Sequence, residues 1–318
     1  MMGAYQPIKP WLDFPDQIQR LSNRGLLIDN PQRAEKYLHR IGYYRLSGYF
    51  HVFRQWDDEV GVLGDDFIDG SKFEDVLSLY LFDKKLRFLA LDALERIEMA
   101  VRVDIVHILG QADPMAHEQS HCLHGNFTKK KLKDGRTEHE QWLERFEELK
   151  NRAESRNLPL FAHNMKKYGC LPIWAASCLW DFGTMTWLYK GMKYSDANLI
   201  AHKYGAVNST IFSQWLNSLN EIRNIAAHHD RLWNISISRP SAPITKDEYW
   251  KNISNKKPFF YFSVMQMMMK VLCPNSRWSD RFKDLLEKEF PQVPGNDRVG
   301  LHRFGLIKDY LLWDLWRK

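Results

Sequence analysis

The chain has 318 residues, 44% of them apolar and 12 of them tryptophan, enough to bury one large core or two smaller ones and inconsistent with a disordered tail. Lys and Arg outnumber Asp and Glu by 45 to 39, and the resulting net charge of +6 favours polyanionic partners without specifying one. Four cysteines, Cys122, Cys170, Cys178 and Cys273, are scattered with no CxxC pair, and the opening MMGAYQPIKPW lacks an apolar stretch; together these argue against a disulfide framework and a secretory leader, and for a cytoplasmic protein.

Taken in chain order, the punctuation predicts short helices first. Residues 15–23 end before Gly25, residues 31–41 open on Asn30-Pro31 and stop at Gly42, and residues 43–54 form a third helix, a helix-turn-helix-like arrangement. Tyr43, Tyr44 and Arg45 in this segment offer rings for base stacking and a cation for phosphate. Packing between helices is an equal reading of Tyr43, Leu46 and Phe50. Residues 57–70 read as a loop, and Ser71 with Glu74 reads as a capping box opening a helix that runs to about residue 109, a length that suggests a break. Asp83, Arg87, Glu98 and Arg102 fall near one line of that helix with Leu94 and Ile105. Such a stripe suits a paired network at an interface or beneath an active site; ordinary surface pairs are the alternative.

His117-Glu118-Gln119-Ser120-His121 matches the HExxH zinc pattern, but Pro114 and Gly125 confine it to barely two turns and no third ligand follows clearly, so it reads as a chance match in a polar connection. The basic run Lys129, Lys130, Lys131, Lys133 and Arg136 can track phosphates or form a solvated turn. Residues 138–156 predict a charged helix and residues 172–189 an apolar one. Residues 173–192 come nearest to a membrane span, yet Asp181 lies at the middle of that run, which favours a buried helix and no membrane. Residues 196–204 predict a short helix, Ser209 caps the next, residues 259–272 form a methionine-rich core helix, residues 279–289 another, and residues 300–318 a docked terminal helix. No strand pattern of convincing length appears, and the fold class is all-α.

The helix after Ser209 carries the chemistry. At about 100° per residue, Phe212, Trp215, Leu219, Ile222 and Ala226 make one apolar stripe, while Ser213, Asn217, Asn220, Asn224 and His228 fall opposite, with Arg223 at the edge of that polar face. Three asparagines and a histidine with little charge suit a symmetric interface or a ligand surface. His229 projects nearer the apolar stripe and reads as a core or capping residue. Arg223 is permanently charged and can stabilise a phosphorane, His228 titrates near neutrality, and Asn224 can orient either the imidazole or a phosphate oxygen. That set suffices to cleave RNA through its own 2′-hydroxyl with no metal or cofactor. One histidine cannot easily serve both sides of the phosphorus, so a homodimer that joins two copies of Arg223 and His228 is expected.

Arg223-Asn224-Ile225-Ala226-Ala227-His228 resembles the signature of the HEPN superfamily, and the longer run through His229, Arg231, Trp233 and Asn234 is similar to the bacterial abortive-infection Abi-like family, the AbiD/AbiF group. A second block from Ala34 to Phe50, including Tyr37, Ile41-Gly42-Tyr43-Tyr44-Arg45-Leu46-Ser47-Gly48 and Tyr49, resembles that family's N-terminal hallmark. Leu79 to Asp83 with Arg102, and Pro172 to Gly183, extend the likeness over roughly residues 20–285. The resemblance implies a HEPN-like helical bundle over residues 71–235 with an inserted region at 111–170, an N-terminal helical segment at 1–56 that contacts RNA, and a C-terminal helical extension at 236–318. It implies a latent antiphage endoribonuclease, a toxin restrained by a structured noncoding RNA; from their positions on the helices, His229, Glu98 and Arg102 are expected as supporting residues. The alternative is a noncatalytic RNA-binding or interaction protein that uses the same helix.

Overall fold

The computed structural model describes residues 10–57 and 61–317. Helices dominate: α1 (Phe14–Asn23), α2 (Pro31–Ile41), α3 (Tyr43–Phe50), α4 (Phe73–Ala112), α5 (Gly125–Thr128), α6 (Glu138–Ser155), α7 (Pro159–Tyr168), α8 (Ile173–Ala176), α9 (Phe182–Gly191), α10 (Tyr194–Lys203), α11 (Ser209–Ala227), α12 (Glu248–Asn252), α13 (Pro258–Leu272), α14 (Trp278–Lys288) and α15 (Leu301–Phe304). No helix among the described residues is long and apolar enough to cross a membrane. The first nine residues, residues 58–60 of the expected loop, and Lys318 lie outside the described set.

Two compact units divide the chain, the described residues of Met1–Leu86 with Phe282–Arg303, and Arg87–Arg281 with Phe304–Lys318. In the first, local chemistry sets the helix ends. Asn30 Oδ1 accepts from Arg33 N at 2.9 Å ahead of Pro31, and Gly42, at φ 85°, ends α2 where a side chain would be strained. The third helix stops earlier than its expected end at residue 54. A 3-10 turn, His51–Phe53, follows it and leads into β1 (Arg54–Asp57), which pairs antiparallel with β2 (Val62–Phe67) across an irregular register. The expected loop is therefore partly a hairpin. Its strands are short, with mixed charge in place of apolar alternation, and Phe67 alone of β2 is buried, so the period-2 signal is missing. Leu21, Leu38, Phe50, Phe53 and Phe73 build the core. Buried Asp83 accepts from Tyr49 Oη at 2.6 Å, a satisfied core pair.

Helix α4 runs unbroken for 40 residues. It starts at Phe73, so Lys72 precedes it and Ser71 does not cap it: the Ser71 carbonyl accepts from Leu27 N, and Glu74 pairs with Arg33 at 3.1 Å. Ser71 N, which a capping box would have given to the Glu74 side chain, donates instead to the Ile68 carbonyl at 3.0 Å.

In the second unit α11 packs beside α9, α10 and α13. Phe212, Trp215, Leu219, Ile222 and Ala226, the expected stripe, are all buried. Side chains with one polar end tie the elements together: Trp142 Nε1 donates to the Thr184 carbonyl at 3.0 Å, Tyr189 Oη to the Ala197 carbonyl at 2.8 Å, and Trp278 Nε1 to the Leu89 carbonyl at 2.8 Å. Gly191 closes α9 against the ring of Phe127, which a Cβ there would meet at 2.6 Å. The methionines Met265, Met268 and Met269 of α13 are buried filler. The tail is not one helix. After α15 come only a 3-10 turn at Tyr310–Leu312 and irregular chain, anchored by Trp313 against Trp250 and by Trp316, whose Nε1 donates to Ser263 Oγ at 3.3 Å.

Candidate functional site

The apolar run at residues 172–189 is broken, and the break makes the site. It folds as the single turn α8, a 3-10 turn at Ser177–Leu179, and α9, with Trp180 and Asp181 extended between them. Asp181 is the N-cap of α9, its Oδ1 accepting from Thr184 N at 2.7 Å and from Thr184 Oγ1 at 2.8 Å. Its Oδ2 takes Arg145 Nη2 from α6 at 2.8 Å. Burial pushes the Asp181 carboxyl up, but the Thr184 amide, Arg145 and the Thr184 hydroxyl outweigh it and hold the group below its ordinary value.

Helix α4 braces this corner. Arg102 Nη2 donates to Glu98 Oε1 at 2.5 Å and to the Trp180 carbonyl at 3.0 Å. Burial raises the Glu98 carboxyl above its usual range, against the opposing pull of Arg102 and then of Arg223. Glu98 thus lies within electrostatic reach of Arg223, and Arg102 is bonded to Glu98.

Arg223 itself is half-buried and lines a cleft of ≈430 Å³ with Arg145, Asp181, Trp187, Asn220 and Asn224, among others. Its Nη1 donates to Asn224 Oδ1 at 3.2 Å, and among the described residues no carboxylate lies within 4 Å of its guanidinium. The first turn of α9, Phe182 to Thr184, forms one side of the cleft. Amides in a first helical turn have no partner within the helix and carry the positive end of its dipole. Asp181 caps the helix start and balances Arg145, so the charge left over in this space is that of Arg223, which with the side-chain amides of Asn220 and Asn224 suits an anion such as a phosphodiester.

His228 stands just past the helix. Ala227 is the last residue of α11, His228 is its C-cap and is exposed, and Asn208 caps the start where Ser209 was expected to, its Oδ1 accepting from Ile211 N at 2.9 Å. The chain then turns through His229 at φ 62°, with His229 N donating to the Ala226 carbonyl at 3.3 Å and Asp230 N to the Ile225 carbonyl at 2.9 Å. This is a Schellman closure with histidine in the left-handed position that glycine normally takes. His229 is exposed, so it closes the helix through its backbone and does not sit in a core. Buried Arg87 holds the Asp230 carbonyl at 3.3 Å from Nη1. Ser238, bonded to Glu221 at 2.8 and 2.9 Å, draws the returning chain back along α11.

His228 is not among the residues that line the Arg223 cleft, and none of the other expected residues except Asn224 lines it. Tyr43, Tyr44 and Arg45 belong to α3 in the first unit; Tyr44 is 92% exposed, whereas Tyr43 leans on Phe50 with ring centroids 5.9 Å apart. Lys129, Lys130 and Lys131 are exposed, and Lys131 pairs with Glu140 at 3.0 Å. At the zinc-like pattern, His117 lies in a turn, fully buried among Trp142, Phe146 and Trp180, and His121 lies exposed in a 3-10 turn. No group of three or more His, Cys, Asp or Glu among the described residues is placed to hold a metal. Arg145 and Trp187 escaped sequence reasoning. Arg145 reaches Asp181 across 36 positions of chain and leaves no local signal, while the cap Asp181 could have been found as an aspartate followed three residues later by Thr184.

A model of the family described as Abi-like protein matches residues 36–234, which include the whole Arg223 cleft. The chain belongs to the Abi-like protein family. No curated protein and no solved structure matches it. In this Abi-like chain the family region reaches from within α2 to the segment just past the Schellman turn.

Proposed function

We propose that this Abi-like protein is a metal-independent endoribonuclease of the HEPN superfamily, in the AbiD/AbiF group, acting in a bacterial antiphage system. The observation that carries the reading is Arg223, a guanidinium with no carboxylate within 4 Å among the described residues, in an open cleft with Asn224 and one helical turn before an exposed histidine. A buried arginine kept for stability would be expected to be paired.

In the proposed reaction the substrate's 2′-hydroxyl loses its proton to an imidazole and O2′ attacks phosphorus. The P–O5′ bond breaks, and O5′ leaves with a proton from an imidazole. The products are a 2′,3′-cyclic phosphate and a 5′-hydroxyl. Arg223 stabilises the added charge on the phosphorane, Asn224 holds the guanidinium or a phosphate oxygen, and Glu98 with Arg102 keeps the cap of α9 in place. A homodimer would supply the second His228. The wider setting, a toxin restrained by a structured noncoding RNA in the cytoplasm, follows from the resemblance.

The test is RNA cleavage in excess EDTA by the purified protein and by Arg223→Ala and His228→Ala. Cleavage lost in both variants, with retained folding, supports the reading. Retardation of RNA by all three proteins with cleavage by none would leave the noncatalytic RNA-binding alternative.

A further inference from the structure

The cleft around Arg223 does not end at Trp187. A larger cavity of ≈870 Å³ adjoins it, and Gly183 and Trp187 line both spaces. Its walls include the next stretch of the polar face of α11, Ser213, Gln214 and Asn217, and the return segment at Arg239. We infer that this cavity is a nucleoside subsite, which takes one unpaired nucleotide of a single-stranded RNA whose adjoining phosphodiester lies in the Arg223 cleft. This rests on the proposed ribonuclease reading and adds that the substrate must be unpaired at the cleavage point.

One group in the wall is unsatisfied. Thr186 is 3% exposed and lines the cavity, and its Oγ1 has no hydrogen-bond partner among the described residues. A threonine within a helix ordinarily bonds the carbonyl one turn back, so an orphan hydroxyl with almost no accessible surface of its own is a costly arrangement, which a rotamer change toward a bound group would relieve. The amides beside it are half used. Asn217 Nδ2 donates to the Ser213 carbonyl at 2.9 Å, which leaves its Oδ1 to accept; Gln214 Oε1 accepts from Ala242 N at 2.8 Å, which leaves its Nε2 to donate. One free acceptor and one free donor suit the edge of a nucleobase, which presents both.

Aromatic faces and cations complete the fit. Trp187 stands where the two cavities meet, and Tyr194 at the rim stacks on His124 with ring centroids 5.3 Å apart and planes 6° from parallel. Lys130 and Arg239 also line the space, and neither has a carboxylate within 4 Å among the described residues, whereas Lys190 beside them is tied to Glu138 at 2.6 Å. The volume falls within the roughly 300–1,000 Å³ usual for small-molecule pockets, room for a base and its ribose but not for a paired and stacked duplex.

The test is fluorescence anisotropy with a labelled mixed-sequence 2′-fluoro RNA hexamer, which lacks the attacking hydroxyl, compared with the same strands annealed as a duplex. The single strand should bind about tenfold more tightly than the duplex, and Thr186→Val, Asn217→Ala and the pair Lys130→Ala/Arg239→Ala should each weaken it by about 5- to 10-fold. Thr186→Val should leave the thermal midpoint unchanged or higher, since valine keeps the volume and removes an unsatisfied hydroxyl. If Asn217→Ala does not fold, the other two variants decide. Equal affinity for strand and duplex, or wild-type binding by the variants, overturns the subsite. Because the probe cannot be cleaved, subsite-dependent binding without cleavage of ordinary RNA removes only the nuclease reading, and RNA cleavage indifferent to Thr186 and Asn217 removes only the subsite.

Discussion

Two histidine-bearing segments of this chain place the same ring in opposite surroundings. His117-Glu118-Gln119-Ser120-His121 has the letters of a metal site, yet its first imidazole is buried among Trp142, Phe146 and Trp180, with neither ring nitrogen hydrogen-bonded among the described residues. Burial, then the charge of Lys150, lowers its pKa to about 4. His228 closes a helix whose Arg223 opens on a cleft, and it is exposed. The contrast teaches that a ring is open to proton exchange only where its surroundings expose it. Residue types at a given spacing do not provide that by themselves.

The largest effect should separate the two segments. Arg223→Ala or His228→Ala is expected to reduce RNA cleavage by about 10²–10⁴-fold with little change in thermal midpoint. His117→Leu, assayed alongside, should keep most of the activity; a loss of cleavage as deep as that of His228→Ala, in a folded His117→Leu protein, would erase the distinction.

The next effect is one of pH. An unfolded histidine titrates near 6.5 and His117 in the folded chain near 4, so between these values the unfolded state binds more protons. Stability from this group is therefore complete above about pH 6.5 and falls as pH drops toward 4, by on the order of 3 kcal/mol. Denaturant unfolding of wild type and His117→Leu across that window should show a difference that grows with acidity. A difference constant with pH would mean that the ring is charged, or solvated, in the fold.

The boundaries of α2 and the apolar face of α11 were legible because their causes are local. Asn30, Pro31 and Gly42 mark α2 without reference to anything distant, and the Phe212 to Ala226 stripe needs only the helical period. The features that shape the cleft are less local. Hydrophobicity alone runs straight through Asp181, and only the pairing of Asp181 with Arg145, braced by Arg102 on the Trp180 carbonyl, shows why the chain turns there. The hairpin from Arg54 to Phe67 and the irregular tail were hidden for a similar reason, since both are held by tertiary contacts and not by periodicity. In the candidate site, Arg223, Asn224, Glu98 and Arg102 could be named from sequence, whereas Arg145 and Trp187 required coordinates.

Smaller effects sharpen the packing side of the comparison. Gly191→Ala should cost about 1–3 kcal/mol, because its methyl would overlap the Phe127 ring that anchors the end of α9. Chemical denaturation measures it, and a neutral result would show that Phe127 can move aside. His229→Gly should stabilise the protein by about 0.5–1 kcal/mol by relieving the left-handed backbone at the end of α11. If cleavage also falls in that variant, the His229 side chain contributes to the site beyond closing the helix.

The most direct measurement is the chemistry of the new RNA ends made in EDTA by the wild-type protein. The account expects a 2′,3′-cyclic phosphate and a 5′-hydroxyl, together with complete resistance of a substrate carrying a single 2′-deoxyribose at the cleaved position. A 3′-hydroxyl with a 5′-phosphate, or undiminished cleavage of the deoxy-substituted strand, would contradict it.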